Sequence, residues 1–187
     1  MLAFRDTTLA ELDESILSLK ARGMRALVLD LRGNPGGLFV PSVQAAERFI
    51  GEGVIVSTQG QLDEFNKSYT SMTGMTAHHF PLFVLIDGET ASAAEVLAAA
   101  LKEHQRAVLI GTTTFGKGTI QAVRPLEAGA VRFTVARIFS PLGSPLSQVG
   151  VTPHFVETVR ERQLELALDQ ASRLLMGMEM NSEGMRP

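Results

Sequence analysis

Two residues, Ser92 and Lys117, have the side chains needed for covalent acyl transfer. Ser92 opens a stretch rich in Ala and Leu that is typical of a helix, and Lys117 lies between glycines in a loop after an apolar, strand-like run. A serine hydroxyl is a weak nucleophile that needs a base, and a lysine serves as that base when burial keeps its amine neutral. The pair therefore predicts a serine/lysine hydrolase.

The sequence around Lys117 favours this role. No acidic residue occurs between Gly111 and Arg124, so the loop supplies no carboxylate that would hold the lysine charged. The base function depends on burial of the amine in the folded protein. Gln121 follows four residues later, and its amide oxygen can accept a hydrogen bond from the lysine and orient it. We expect Ser92, Lys117 and Gln121 to form the catalytic set.

Acyl transfer also needs N–H donors for the oxyanion that develops on the substrate carbonyl. The amide of Ala93 lies next to the nucleophile at the start of the helix, where the helix dipole favours negative charge. A second donor is expected from the turn at Gly36 and Gly37, because glycines let a backbone approach a substrate closely. At the carboxyl ends of parallel strands, these groups would complete an acyl-transfer site.

The elements that must position these residues are strands alternating with helices. Apolar runs indicate strands buried on both faces at 26–31, 82–86 and 107–110, with a further strand at 54–58. Helical spacing predicts helices that start near Thr8 and at 43–50, 93–104 and 163–176. This alternation predicts an α/β domain with a largely parallel central sheet.

The remaining segments are predicted from turn residues and alternation. Residues 59–79 are polar and are expected to form a surface excursion or an edge hairpin. Residues 120–123 and 131–138 alternate as two strands of a β-hairpin, and 139–153 is predicted to be loop because it is rich in Gly, Pro and Ser.

Two helices carry more detailed predictions. Thr8 and Glu11 have the spacing of a capping box for the first helix, and Gly23 is expected to end it. The last helix is expected to present one apolar face, formed by Leu164, Leu168, Ala171 and Leu175.

Composition narrows the class of protein. The 187 residues fit one compact domain, and a formal net charge of −3 argues against a nucleic-acid partner. The absence of cysteine excludes thiol catalysis, disulfides and zinc–thiolate sites. The sequence predicts no integral membrane segment and no signal peptide, and it indicates no cofactor.

Two other kinds of site deserve comparison. Gly111, Gly116 and Lys117 have the spacing of a phosphate-binding P-loop, but Gly118 stands where a Mg²⁺-binding hydroxyl belongs and a strand is predicted next. A nucleotide hydrolase is therefore a remote alternative.

The histidines give weaker signals. The adjacent pair His78 and His79 would point apart in a strand, so solvated loop histidines are favoured over a metal site. A Ser-His-Asp triad that uses His104 or His154 stays open, although nothing in their local sequence supports it.

Four motifs occur in a fixed order along the chain. They are Leu-Asp-Leu-Arg-Gly-Asn-Pro-Gly-Gly at 29–37, Thr-Ala-Ser-Ala-Ala-Glu at 90–95, Gly-Thr-Thr-Thr-Phe-Gly-Lys-Gly-Thr-Ile-Gln at 111–121 and Gly-Val-Thr-Pro at 150–153. With these motifs the chain resembles the catalytic domain of the C-terminal processing (tail-specific) proteases. The resemblance covers roughly residues 3 to 157 of the chain.

The resemblance implies a crotonase/ClpP-like ββα-spiral fold and a serine endopeptidase that cleaves near substrate C-termini through an acyl-enzyme. It implies that Ser92 is the nucleophile, Lys117 the general base and Gln121 the residue that orients the base. The implied oxyanion donors are Gly37 and Ala93, with Gly36 as the substitute for Gly37. The implied supporting residues are Glu95 and Thr114.

The resemblance also carries expectations about organisation and partners. It implies protein or peptide substrates with apolar C-termini and an exported location, in the periplasm, cell envelope or an organelle lumen. Residues 1–160 would be the protease domain, with its first strands clipped and no PDZ domain, and 161–187 a C-terminal helix and tail. Glu103 and His154 stand where the family has aspartates. A catalytically silent binding module of the same fold is the alternative.

Overall fold

Strands and helices alternate along the chain in the computed structural model, which describes residues 1–72 and 78–183, with side chains up to residue 178. The strands are β1 (Leu27–Asp30), β2 (Gly53–Gly60), β3 (Lys67–Ser71), β4 (Leu82–Ile86), β5 (Val108–Gly111), β6 (Thr119–Leu126), β7 (Gly129–Phe139) and β8 (Phe155–Val156). The helices are α1 (Thr8–Ala21), α2 (Phe39–Glu47), α3 (Ala93–Glu103) and α4 (Arg160–Glu183), with a 3₁₀ turn at Asp63–Phe65.

The strands form two sheets of different character. One sheet is parallel with the order β1-β4-β5-β8, and the other is antiparallel with the order β3-β2-β7-β6. The predicted α/β class and the parallel central sheet are confirmed. The sequence did not show that a second sheet of equal strand number stands beside the first.

The parallel sheet is covered by helices on both faces, and β4 lies at its centre. All five residues of β4 are buried. Leu82, Val84 and Ile86 belong to the core cluster that includes α1, α2 and α3, whereas Phe83 and Leu85 pack with Ala167 and Ala171 of α4. Successive side chains of a strand point to opposite faces, so a continuous apolar run fits a sheet that is buried on both sides.

Helix α4 is longer than predicted and packs through a different face. Leu164 and Leu168 are 42% and 53% exposed, so the predicted face through them is wrong. The buried positions are Gln163, Ala167 and Ala171. The small alanines let the helix lie close to β4 and β5, and periodicity alone did not separate this stripe from the neighbouring leucines.

Helix α1 begins at Thr8 as predicted but is capped differently, and helix α2 begins earlier than predicted. The residue that caps α1 is Thr7, whose hydroxyl donates to the Glu11 carboxylate at 2.7 Å, while the Thr8 hydroxyl accepts the Arg5 N–H at 2.8 Å. The predicted capping box of Thr8 with Glu11 is therefore wrong. Helix α2 begins at residue 39 because Pro41 lies in its first turn, where a missing N–H breaks no helical hydrogen bond.

The two predicted hairpins are present, and one short strand was missed. Strands β2 and β3 pair antiparallel, which confirms the edge hairpin up to residue 71, while 73–77 lie outside the described residues. Strands β6 and β7 form the second hairpin, and most of their side chains are exposed. The two-residue strand β8 pairs with β5 and was too short to show periodicity.

No helix in the described part of the chain is both long enough and apolar enough to cross a membrane.

Candidate active site

Ser92 lies in the turn that connects the buried strand β4 to helix α3. Its backbone has φ 56° and ψ −118°, a region that non-glycine residues rarely adopt. Such strain costs about 1–3 kcal/mol and persists only where the surroundings enforce it. The side chain is partly exposed at the carboxyl edge of the parallel sheet, as a nucleophile needs to be.

A single carboxylate, that of Glu95, connects the serine turn to the lysine loop. One Glu95 oxygen accepts the N–H groups of Ser92 and Lys117, each at 2.8 Å. The other accepts the Gly116 N–H at 2.7 Å and the Thr114 hydroxyl at 2.5 Å. Glu95 is fully buried in the first turn of α3, where the helix dipole also favours its charge. The four donors compensate for the loss of water around the carboxylate.

Thr114 extends this network to the fourth sequence motif, at residues 150–153. Its side chain is buried, and its hydroxyl accepts the Val151 N–H at 2.7 Å while donating to Glu95. Gly150 packs against the same loop, since a Cβ placed on it would lie 2.5 Å from the Thr114 carbonyl oxygen. The segment at 150–153 therefore holds the lysine loop from behind.

The side chains of Lys117 and Gln121 are both exposed. The structure thus fixes the backbone of Lys117 through Glu95 but does not bury its amine, so the burial on which the base function depends is not met in this structure. Gln121 lies at a β-bulge, where the register of the edge strand β6 shifts between residues 120 and 121. Its side chain leaves the sheet on the solvent side.

An open cavity of about 720 Å³ lies between the serine turn and the lysine loop. Its lining residues come from the glycine turn, the turn before Ser92 and the lysine loop. They are Gly33, Pro35, Gly88, Glu89, Ala91, Phe115 and Lys117. The Phe115 ring is 67% exposed, so the cavity has an apolar wall that is open to a ligand.

The turn at Gly36 and Gly37 packs directly against the serine turn. A Cβ placed on Gly36 would lie 2.8 Å from the Ser92 Cβ and 3.0 Å from the Ala93 nitrogen, and Gly36 has φ 105°. Only glycine fits there without strain or displacement. The Gly36 N–H donates to the Asn34 side chain at 2.9 Å and is not free for a substrate.

The N–H groups of Gly37 and Ala93 form no hydrogen bond within the described residues. The carbonyl of Gly36 and the N–H of Leu38 pair with Phe4, and the Gly37 N–H between them takes no part in that pairing. This geometry favours Gly37 over Gly36 as the second oxyanion donor. The roles of both residues stay predictions.

Sequence reasoning missed Asn34, which is fully buried beside the site. Its side-chain oxygen accepts the Gly36 N–H, and its carbonyl oxygen accepts the Ala91 N–H at 2.9 Å. Asn34 thus connects the glycine turn to the residue before Ser92. An asparagine next to a proline and two glycines is typical of a side chain that organises a turn, which is the signal that could have identified it.

Asp87, at the end of β4, was also missed. One of its oxygens accepts the N–H groups of Gly33, Glu89 and Thr90 at 2.9–3.1 Å. Burial opposes ionisation of this carboxyl, but the hydrogen bonds outweigh it and hold the pKa of Asp87 below its ordinary value. Thr90 in turn accepts the Phe115 N–H at its carbonyl oxygen, at 3.0 Å, so the turn is also fastened to the lysine loop.

The structure does not bring the histidines to the serine. The His104 ring bonds to the Val54 carbonyl at 2.7 Å, and the His154 ring accepts the Leu109 N–H at 2.9 Å. Burial and Lys102 lower the pKa of His154. Both rings therefore serve packing and backbone contacts.

The other two alternatives find no support in the geometry. A strand, β6, follows Gly118, so the loop at 111–118 lacks the helix N-terminus that a P-loop needs. His78 bonds to Lys20 at 3.2 Å and stacks on Phe80, and burial lowers its pKa. The described residues contain no group of three or more side chains arranged to hold a metal ion.

Comparisons with known proteins agree with the fold and the motifs. The model of peptidase family S41 matches residues 1–157. The carboxy-terminal-processing protease of Bartonella bacilliformis is 37% identical over 161 residues, which are 83% of this chain and 37% of that protein. The chloroplastic C-terminal processing peptidase of Tetradesmus obliquus is 40% identical over 154 residues, 80% of this chain and 32% of that protein.

Among solved structures, a photosystem II D1 C-terminal processing protease matches with a TM-score of 0.76 at 36% identity. The match covers 84% of this chain and 41% of that one.

The fold and the site define an α/β domain that presents a serine at a strained strand-to-helix turn. The chain belongs to peptidase family S41. The family expected from the four motifs is thereby confirmed, together with its ClpP-like fold. The chain spans about a third of the length of the curated relatives, 37% and 32% in the two cases above.

Proposed function

We propose that the chain is the catalytic part of a serine endopeptidase that cleaves near the C-termini of protein substrates. The observation that carries the proposal is the buried Glu95 carboxylate, which holds the backbones of Ser92 and Lys117 at one point. The family match supports a serine peptidase, and the curated relatives are named for C-terminal processing.

In the proposed reaction the Lys117 amine removes the proton from the Ser92 hydroxyl as its oxygen attacks the substrate carbonyl. The N–H groups of Gly37 and Ala93 stabilise the oxyanion, and the lysine returns the proton to the leaving amine. A water molecule then hydrolyses the acyl-enzyme by the same route. Gln121 orients the lysine amine without adding charge.

The exposed amine of Lys117 implies that substrate binding completes the site. A lysine acts as a base only through its neutral amine, and exclusion of water favours the neutral form. A peptide in the cavity beside Phe115 and Ala91 would cover the amine and lower the dielectric around it. The site would therefore be activated by the substrate that it cleaves.

We extend the proposal to substrate and location on the strength of the relatives. Substrates would be proteins with apolar C-termini, which the apolar wall formed by Phe115 suits. Three of the similar proteins are named as chloroplastic peptidases, which accords with a location in an organelle lumen or outside the cytoplasm.

One observation favours a second candidate, a peptide-binding module that does not cleave. Lys117 and Gln121 are exposed, so the chain presents a cavity suited to a peptide without a buried base beside it. Such a module would bind C-terminal peptides and leave them intact.

Mass spectrometry of peptides with apolar C-termini tests the two candidates. We expect cleavage by the unaltered chain and none by Ser92→Ala or Lys117→Ala, with Lys67→Ala as an exposed lysine control that cleaves normally. A serine-reactive probe should label Ser92 in the unaltered chain. Binding without cleavage, together with an unlabelled Ser92, would overturn the enzyme proposal in favour of the binding module.

A further inference from the structure

The amino-terminal end of α4 is fastened to the turns that form the site. The Arg160 guanidinium donates to one Asp87 oxygen at 2.9 Å, and Asp87 is the residue that follows β4. Helix α4 begins at Arg160, beyond the residues 1–157 that match the family. Arg160 therefore reaches Asp87 from outside the segment to which the family match applies.

A second set of contacts holds the same end of the helix from the other side. Arg32 donates to the Arg160 carbonyl at 2.6 Å and to the Gln163 side chain at 3.1 Å. It also forms a bidentate pair with Asp30, and only 10% of its side chain is exposed. Arg32 directly precedes Gly33 in the glycine-rich turn, so α4 and that turn share one rigid anchor.

The Asp87 carboxylate transmits the position of the helix to the site. One oxygen faces Arg160, and the other accepts the N–H groups of Gly33 and Thr90. Gly33 leads into the turn that holds Gly36 and Gly37. Thr90 lies two residues before Ser92, and its carbonyl oxygen accepts the Phe115 N–H of the lysine loop. The glycine turn and the serine turn therefore both bind Asp87, and the lysine loop binds Thr90, which is itself bound to Asp87.

We propose that Arg160 is a positioning residue, which holds the Asp87 carboxylate so that the glycine turn, the serine turn and the lysine loop keep one relative geometry. The proposal rests on the proposed peptidase function. It makes the start of α4 part of the catalytic unit, although the helix contributes no group to the reaction. A binding event that displaced the first turn of α4 would slow the enzyme from outside the site.

A surface ion pair alone would have little effect, and the Arg160 side chain is 55% exposed. Its partner is different, because the Asp87 side chain is 16% exposed and its second oxygen holds two turns. Rotation of that carboxylate would release both turns at once. Small displacements of catalytic groups cost up to about a hundredfold in rate, so the effect on kcat should exceed the effect on folding.

The test compares Arg160→Met with Arg162→Met, which removes the same charge from the same helical turn. The Arg162 side chain is exposed and forms no ion pair among the described residues. We expect Arg160→Met to lower kcat about tenfold with KM changed less than about twofold. Arg160→Lys should recover most of the loss, and Arg162→Met should behave as the unaltered chain.

Amide hydrogen exchange gives a readout that does not depend on catalysis. The Gly33 and Thr90 amides should exchange faster in Arg160→Met and not in Arg162→Met. If the unaltered chain cleaves no peptide, the peptidase proposal fails while the exchange rates still decide the role of Arg160. Equal exchange at both amides in the two variants, or an equal loss of kcat in both, would overturn the positioning role.

Discussion

The two halves of the proposed site are built in opposite ways. Ser92 lies between a strand whose residues are all buried and a helix whose residues from Ala93 to Leu101 are all buried. Lys117 and Gln121 are exposed, and Gln121 lies on a hairpin, β6–β7, most of whose side chains face solvent. The serine half is packed into the core, whereas the lysine half is fixed only through backbone hydrogen bonds such as that of the Lys117 N–H to Glu95.

This difference indicates which part of the catalytic geometry the folded chain supplies by itself. The strained backbone conformation of Ser92 persists because the parallel sheet and the hydrogen bond to Glu95 hold it in place. The lysine side chain has no comparable support among the described residues, so under the proposed function its environment comes from the peptide that occupies the cavity. Variants of the serine half should therefore lose both stability and activity, and variants of the lysine half should lose activity alone.

The largest effect is expected when Glu95 is changed to Gln. The amide keeps the shape, but its NH₂ group faces donors such as the Gly116 or Lys117 N–H and leaves them unpaired. Two buried donors left unpaired, at about 1–3 kcal/mol each, should reduce the free energy of unfolding by about 3–5 kcal/mol in urea denaturation. A serine-reactive probe should also label Ser92 more slowly in Glu95→Gln than in the unaltered chain.

Glu14→Gln is the matched control for this variant, because Glu14 is exposed on α1. It should change the free energy of unfolding by less than about 0.5 kcal/mol. A Glu95→Gln protein as stable as the control would show that the carboxylate does not organise the serine half.

The next largest effect is expected for Gly36→Ala. The new Cβ would meet the Ser92 Cβ at 2.8 Å and the Ala91 carbonyl oxygen at 2.9 Å, in addition to the strain of a positive φ. Gly23 also has a positive φ, 85°, but a Cβ there meets nothing within 4 Å. Gly23→Ala therefore measures the backbone strain alone.

We expect losses of about 2–4 kcal/mol for Gly36→Ala and about 1 kcal/mol for Gly23→Ala. Activity should fall only in the first variant. Thermal unfolding of the two proteins side by side measures the difference, and equal losses would mean that the glycine turn does not pack on the serine turn as described.

The sequence predicted the serine half better than the lysine half. The apolar run at 82–86 and the Ala-rich run after Ser92 are buried elements, and burial leaves a clear periodic signal in the residues. The family and the order of its motifs were also readable from local sequence. The exposure of Lys117 was not readable in this way, because it depends on what lies across the cavity rather than on the neighbouring residues.

Other features escaped prediction because they depend on contacts between distant segments. Asp87 and Asn34 are short polar residues in turns, and only the folded chain shows that they join two motifs. The buried face of α4 differed from the predicted face for a similar reason. Alanine and leucine both satisfy an apolar pattern, whereas the distance between helix and sheet selects Ala167 and Ala171.

A smaller effect, dependent on pH, is expected from Asp87. Its pKa in the folded protein is depressed below the ordinary value of 3.8, so the stability that it contributes is complete above about pH 5 and is lost as the pH falls through the folded pKa. Asp87→Asn should lower the free energy of unfolding by roughly 1–2 kcal/mol at pH 7 and by progressively less in acid.

Urea denaturation of both proteins between about pH 7 and pH 2 measures how the difference in their free energies of unfolding shrinks as the pH falls. The pKa values of Asp13 and Asp30 are also depressed, chiefly by Arg48 and Arg32 against the cost of burial, so the variant should keep some acid sensitivity. Asp6→Asn, at an exposed position, is the matched control and should change the free energy of unfolding by less than about 0.5 kcal/mol at pH 7. A constant difference between Asp87→Asn and the unaltered chain would contradict the expected titration.

The smallest change in stability is expected at Lys117, where the change in function should be complete. Its amine is exposed and forms no hydrogen bond or ion pair within the described residues, so Lys117→Met should alter the free energy of unfolding by less than about 0.5 kcal/mol. Lys67→Met, an exposed lysine on β3, should do the same. Only Lys117→Met should abolish peptide cleavage. If Lys117→Met instead destabilised the chain as much as Gly36→Ala, the lysine half would be held by the core too, and substrate would not be needed to complete the site.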